Sequence, residues 1–285
     1  MFCTCPFSPP SVPVVSIFKI VRRLVDADRL CFNSALSFLL ASGPADQALQ
    51  WTKLSSSERA SALKAYHDAG IKVIVSAFGE TESPTTSGTD AASTAKTMAA
   101  WVKTYGLDGI DVDYEDFTAF DAQPGQAIQW LETFTKTLRQ GLPAGQYTIS
   151  HAPVAPWFTK DNYQGGYLTV DQAVGSMIDW YNVQFYNQGS GMYTDCSGLL
   201  TNAGSSFPGT SVFQIAAAGV DLNKIVIGKP GKSSDASNGF LSTAELAICV
   251  AQAQAKGWNA GVMSWEYPSA DAAWIAAVRG VVFPL

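Results

Sequence analysis

Two hydrophobic rhythms alternate along this chain. Short, almost continuous apolar runs give way to longer amphipathic segments, the patterns of buried strands and of helices. The strand-like runs are 31–40 (CFNSALSFLL), 72–78 (KVIVSAF), 107–115, 147–152, 179–186, 224–228 (KIVIG) and 261–266 (GVMSWE). Helical patterns cover 55–69, 91–105, 126–140, 210–218, 242–256 and 270–279, with a short helical turn at 170–174. Ser55 or Ser56 supplies an N-cap, and Gly70, Gly106 and Gly141 stop the helices before them. Val12 to Ile20 supplies a first strand, and little chain is left between Ile20 and Cys31 for a full first helix. Strands alternating with helices predict a parallel sheet. Eight such units in about 250 residues is the size of an α/β (β/α)8 TIM barrel. The expectation is therefore an irregular segment at 1–11 and a single (β/α)8 domain at 12–285, with an atypical or incomplete first strand/helix unit. A doubly wound open sheet is the alternative. It would carry a Gly-rich phosphate turn after an early strand, and no such turn occurs in the sequence.

One strand breaks the apolar pattern. In 107–116 (LDGIDVDYED), Asp111, Asp113 and Glu115 stand at i, i+2 and i+4, with Ile110, Val112 and Tyr114 between them. Alternate side chains of a strand share a face, so three carboxyl groups line one side. Like charges that close cannot all ionise cheaply, and at least one pKa rises. A protonated carboxyl beside an ionised one is the equipment of general acid catalysis. A solvated acidic strand edge fits poorly with the apolar residues between and around the carboxyls. A calcium loop counted from Asp111 needs Gly at position 6 and Glu at position 12, where this chain has Asp116 and Ala122. The ladder is best read as a catalytic set at the C-terminal end of a barrel strand, the end where such barrels carry their sites. The polar loops 80–90 and 187–210 follow strands and belong to the same end.

Composition narrows the partners. Of 285 residues, 47% are hydrophobic and 15% charged, enough apolar content for one large core. The net charge is −6 and the basic residues are scattered, which argues against nucleic acid or an anionic membrane as partner. Aromatic residues make up 12%, with eight Trp. Packing accounts for most of them, and a surplus also suits stacking on the apolar faces of sugar rings. The five cysteines, Cys3, Cys5, Cys31, Cys196 and Cys249, match no zinc spacing. Their pairing is open at this level, and Cys249, in an apolar helical stretch, reads as a buried thiol. Arg22 and Arg23 follow the apolar run at 12–21, the reverse of a signal peptide's order. No run reaches the roughly 18 apolar residues of a membrane span.

At this point the chain resembles glycoside hydrolase family 18, the chitinase and chitinase-like family. Residues 108–115 match its DGxDxDxE signature at every defined position, through Asp108, Gly109, Asp111, Asp113 and Glu115. Ser76-Ala77-Phe78-Gly79 stands where the family carries an SxGG-like segment. Gln184-Phe185-Tyr186-Asn187 resembles the QFYN of class III-type chitinases, Ala152-Pro153 after the fifth strand also looks like that branch, and Trp265 ends the last strand where the family places an indole under the substrate. The likeness spans about residues 31–280, and the general run of the sequence is similar to fungal members.

The resemblance implies a retaining, substrate-assisted hydrolase of β-1,4 linkages next to N-acetylglucosamine, an endochitinase-like enzyme. Glu115 would give its proton to the glycosidic oxygen. Asp113 and the Tyr186 hydroxyl would hold the substrate's acetamido group, whose oxygen is the nucleophile, a recognised exception to the two-carboxylate scheme. Asp111 would tune Asp113. Gln184, Asn187, Trp265 and Phe78 are candidates for contact with substrate, and Asp108, Gly109 and Ser76 for structural support. Each has a plainer alternative. Tyr186 and Trp265 also suit a core, and Gln184 and Asn187 also suit loop ties. His151, on an apolar strand, reads as a structural histidine. Trp157 and Tyr163 rank low as sugar contacts. The backbone at Phe78 departs from SxGG.

Alternatives in function are an endo-β-N-acetylglucosaminidase cutting the chitobiose core of N-glycans, and a non-catalytic chitin- or glycan-binding relative. Relatives of the latter kind typically lose the acid at the Glu115 position, and here it is present. No cofactor and no metal is implied. The expected partner is chitin or an N-acetylglucosamine-containing oligosaccharide, met by a monomer outside the cell or at the wall.

Overall fold

The computed structural model describes the backbone of residues 17–23 and 30–280, with side chains from residue 33 to 280. The expected irregular segment at 1–11, Cys3 and Cys5, and the first half of the expected strand at 12–20 lie outside the described residues.

In chain order the strands and helices are β1 (Ile17–Arg23), β2 (Leu30–Leu40), β3 (Gly43–Pro44), α1 (Asp46–Lys53), α2 (Ser56–Asp68), β4 (Ile71–Phe78), α3 (Ala91–Thr104), β5 (Gly109–Asp113), α4 (Phe117–Ala122), α5 (Pro124–Gly141), β6 (Thr148–His151), α6 (Gly166–Val174), β7 (Trp180–Gln184), α7 (Cys196–Leu200), α8 (Val212–Ala217), β8 (Ile225–Pro230), α9 (Thr243–Ala255), β9 (Val262–Trp265) and α10 (Ala272–Arg279). The sheet order is β1-β9-β8-β7-β6-β5-β4-β2-β3, and β1 also pairs with β2. Eight strands therefore form a ladder that returns on itself, with the two-residue β3 hanging from the end of β2. Helices lie between the parallel strands, as in a (β/α)8 barrel.

All pairs from β2 through β9 around the ring are parallel. The first unit is the exception, and it differs from the expectation in kind. The first strand runs antiparallel to both of its neighbours, β2 and β9. A parallel return needs a crossover of a dozen residues or more, whereas antiparallel strands tolerate a short connection. Only the six positions 24–29 separate β1 from β2. The short connection and the reversed first strand thus go together.

Local signals set the helix ends. Ser55 and Glu58 form a reciprocal capping box at the start of α2, and Ser242 and Glu245 form another at α9. Asp90 and Asp271 cap α3 and α10 through their carboxylates. The strands β5, β6, β7 and β8 are buried at every position, as expected of parallel strands covered by helices. Most aromatics fill the layer between strands and helices. Trp157 stacks on Phe120 at 3.9 Å, and Trp51, Trp157 and Trp258 are fully buried. Packing, rather than sugar binding, accounts for these three indoles.

Cys249 is not a free thiol. It is bonded to Cys196, tying the start of α7 to α9 across 53 residues. Pairing depends on how two distant segments meet, so a single apolar stretch carries no sign of it. Replacing both cysteines with Ser is expected to lower unfolding stability by about 2–4 kcal/mol. Urea denaturation of the two proteins checks this, and an unchanged midpoint would speak against a stabilising role.

Candidate active site

The parallel register builds the site in layers. Ser76 on β4, Asp111 on β5 and Ser150 on β6 are direct register neighbours, so their side chains enter the barrel at one level. Ser150 donates to Asp111 Oδ1 at 2.5 Å, the Asn182 amide donates to the same oxygen at 2.8 Å, and Ser76 donates to Oδ2 at 3.0 Å. Burial pushes the Asp111 carboxyl up, and those three donors pull the other way. Gly109 is required by the same close packing. A β-carbon there would stand 2.1 Å from the Thr148 carbonyl oxygen of β6.

One level higher sits Asp113. The Gln184 amide donates to Asp113 Oδ1 at 2.9 Å, to Glu115 Oε1 at 3.3 Å and to the Ala152 carbonyl at 2.9 Å. Asp113 is buried and hydrogen-bonded to the half-buried Glu115. Burial, then the charges of Glu115 and Asp111, push Asp113 well above the ordinary carboxyl range. Burial also raises Glu115, against the bonds from Gln184 and Asp113. Two touching carboxyls of this kind hold one proton between them and titrate as a pair. Asp111 is held by three neutral donors, and its charge is one of the causes that raise Asp113.

Tyr186 follows β7 and is buried against the same carboxyls. Burial first, then the charges of Asp113 and Glu115, lift its phenol well above the ordinary range, so it stays a neutral hydroxyl. A small recess opens among Ala35, Asp111, Asp113, Ala152, Asn182, Gln184, Tyr186 and Met263. Trp265 lies two residues beyond Met263 on β9, hence on the same face. Its ring is 6.1 Å from that of Phe38 at an interplanar angle of 26°. Phe38 in turn covers Gly79, where a β-carbon would come within 2.9 Å of the ring.

The other sequence candidates divide. Asp108 sits just before β5, accepting from the Val73 amide at 2.7 Å and bonded to His67 at 2.8 Å. Asn187 accepts from the Ser237 amide and hydroxyl, joining the loops after β7 and β8. His151 is buried between Thr135 and Tyr167, with its pKa lowered to about 3 by burial. Trp157 lies in the helix layer. Phe78 departs most clearly from its expected place against substrate. Strand alternation from Ser76 points it inward, but its φ of 74° turns the ring out between Trp130 and Phe134 of α5. A positive φ at a bulky residue has no sequence signature of its own.

Sequence reasoning missed several participants. Ser150 and Asn182 come from two further strands, and only the register brings them to Asp111. Phe38 was hidden inside an apolar run. Glu80, exposed after Gly79, places its charge near Asp113 and Glu115. The loop bearing it is fixed to the acidic strand's end, because Tyr114 donates to Thr85 at 2.7 Å and the Thr86 amide and hydroxyl donate to Asp116 at 2.7 and 2.6 Å. A ladder of carboxyls with raised pKa values, a neutral phenol beside it and an aromatic pair brought from β2 and β9 is suited to acid-assisted bond cleavage.

Comparison with known proteins gives the same direction. The family model for Glycosyl hydrolases family 18 matches residues 28–276. Among solved structures, the chain is similar to a GH18 chitinase from Pseudoalteromonas aurantia, at 30% identity over 86% of this chain and 90% of that one, with a TM-score of 0.71. It is also similar to the chitinase ChiC of Aspergillus fumigatus, at 23% identity, 75% and 70% coverage and a TM-score of 0.55. A third likeness is to a putative Chitinase A from Streptomyces coelicolor, at 18% identity, 87% and 87% coverage and a TM-score of 0.62. The last two identities speak to the fold alone. The expected fungal subclass finds no support here, since the 30% identical structure is bacterial.

Proposed function

Because the chain belongs to glycosyl hydrolase family 18, we propose that it hydrolyses β-1,4 linkages of N-acetylglucosamine polymers with retention, using the substrate's own acetamido oxygen as nucleophile. The observation that carries this reading is the pair of carboxyls Asp113 and Glu115 held by one amide, that of Gln184, with Tyr186 lining the same recess as Asp113.

The chemistry follows from those groups. With the pair's proton on Glu115, that carboxyl protonates the glycosidic oxygen as the bond to the anomeric carbon breaks. The acetamido oxygen closes onto the same carbon, giving an oxazolinium ion. Asp113 accepts the acetamido N–H and offsets the positive charge, and the Tyr186 hydroxyl donates to the acetamido oxygen and orients it. Glu115, now a carboxylate, takes a proton from water, which opens the ring and leaves the configuration unchanged. Trp265 and Phe38 offer ring faces for the sugar. The acid at position 115 favours a catalyst over a binding relative, and an oxidising, extracellular setting fits the Cys196–Cys249 disulfide.

Digesting a chitin oligosaccharide and a high-mannose glycopeptide side by side tests the substrate. Cleavage of the chitin oligosaccharide is expected, and cleavage of the glycopeptide alone would overturn the chitinase reading.

The proton's position gives a pH prediction. Activity needs Glu115 protonated, so it falls as pH rises through the pair's pKa. A raised pKa moves that fall above the ordinary carboxyl range near 4.5. Glu80 contributes to the rise in both members of the pair. Glu80→Gln is therefore expected to shift the basic limb of the kcat/KM profile to lower pH, less so in high salt. A limb that stays put or moves up contradicts the assignment.

A further inference from the structure

The barrel contains a buried ammonium that the proposed chemistry does not use. Lys229, on β8, is 0% exposed, and burial alone pushes its pKa down to about 7. Burying a lysine is unfavourable unless its charge is paired or its donors are satisfied. Its Nζ donates to three main-chain carbonyls, those of Phe185 at 2.8 Å, Tyr193 at 2.6 Å and Gly239 at 2.8 Å. Three N–H groups meet three acceptors, which uses the full donor capacity of an ammonium.

Where those carbonyls lie is the point. Phe185 immediately precedes Tyr186. Tyr193 belongs to the loop leaving β7, and Gly239 belongs to the loop leaving β8. Gly239 also presses on Tyr186 directly, for a β-carbon there would fall 2.6 Å from the Tyr186 α-carbon. The two loops are further laced together by the Asn187 amide to the Asn238 carbonyl at 3.1 Å and the Gly189 amide to Asn238 Oδ1 at 3.0 Å. The backbone on both sides of Tyr186 thus converges on one nitrogen.

We propose that Lys229 is a positioning residue for Tyr186, gathering the loops after β7 and β8 so that the phenol stands at a fixed place beside Asp113. The inference rests on the reading of Tyr186 as the hydroxyl that orients the acetamido group. Displacement of a reacting partner by about 1 Å can cost up to about a hundredfold in rate. Loss of the clamp should therefore act on turnover through Tyr186 and little on affinity.

The test is a double-mutant cycle on the full chain, with Lys229→Met, Tyr186→Phe and the double variant, using chitotetraose as substrate. Lys229→Met is expected to lower kcat by about tenfold to a hundredfold, with KM changed by less than about threefold. In the Tyr186→Phe background the same change should cost less than about twofold, because the hydroxyl it positions is gone. Equal losses in both backgrounds, or no loss in either, would overturn the proposal. Hydrogen exchange over residues 185–195 supplies a readout independent of activity: the amides of Asn187 and Gly189 should exchange faster in Lys229→Met, and unchanged protection there contradicts the clamp. If Lys229→Met does not fold, Lys229→Gln, which keeps two donors, takes its place in both measurements with the same criteria. A wild-type protein that leaves chitotetraose intact would refute the proposed function, and hydrogen exchange would still decide the clamp.

Discussion

Glu115→Gln is expected to lower kcat on N-acetylglucosamine oligosaccharides by about 10²- to 10⁴-fold, the usual contribution of a positioned general acid. The amide keeps the shape and can still bond to Asp113, but it has no proton to give to a leaving oxygen. Oligosaccharide affinity should persist, because the recess, Tyr186 and the Phe38–Trp265 pair are untouched. Steady-state kinetics with calorimetric binding on the same variant separate the two effects. Unchanged turnover would remove Glu115 from its role. Parallel loss of binding and turnover would point to damage to the site as a whole.

Asp113→Asn carries the second large effect, about 10²- to 10³-fold in kcat, the scale for removing one fixed group from a developing charge. Asp113 is held by Gln184 and by Glu115 in a site that burial keeps poorly solvated. In the proposed mechanism a carboxylate there both accepts the acetamido N–H and balances the oxazolinium charge, and Asn supplies only the first. The loss should fall on kcat more than on KM, since the charge exists after bond breaking has begun. A variant that loses affinity but retains kcat would recast Asp113 as a binding residue. Asp111 should be milder to replace with Asn, because its three partners are neutral donors.

Much of this arrangement is written in local pattern. The period-two spacing of Asp111, Asp113 and Glu115 puts them on one face whatever surrounds them. Helix ends such as Ser55, Asp90 and Gly106 follow from side chains a few residues away. What local pattern lacks is the meeting of distant segments. The donors to Asp111 come from β4, β6 and β7, and the Cys196–Cys249 bond spans two helices. The direction of β1 depends on the length of its connection, a feature composition does not display. Phe78 fails for a different reason. Its sequence position obeys strand alternation, and one positive backbone angle reverses it. Lys229 is the opposite case from the ladder: one charge in the apolar run IVIGKP gives no hint that three carbonyls from two loops converge on it.

In the proposed reaction the substrate's acetamido oxygen, and no protein carboxylate, attacks the anomeric carbon while Glu115 supplies the proton. Following the hydrolysis of chitotetraose by proton NMR in its first minutes tests it most directly, with the analogue bearing a free amine at the cleaved unit run alongside. Newly formed reducing ends are expected as the β-anomer, and the amine analogue is expected to remain uncut. Initial formation of the α-anomer, or equal cleavage of the analogue, would contradict that reaction.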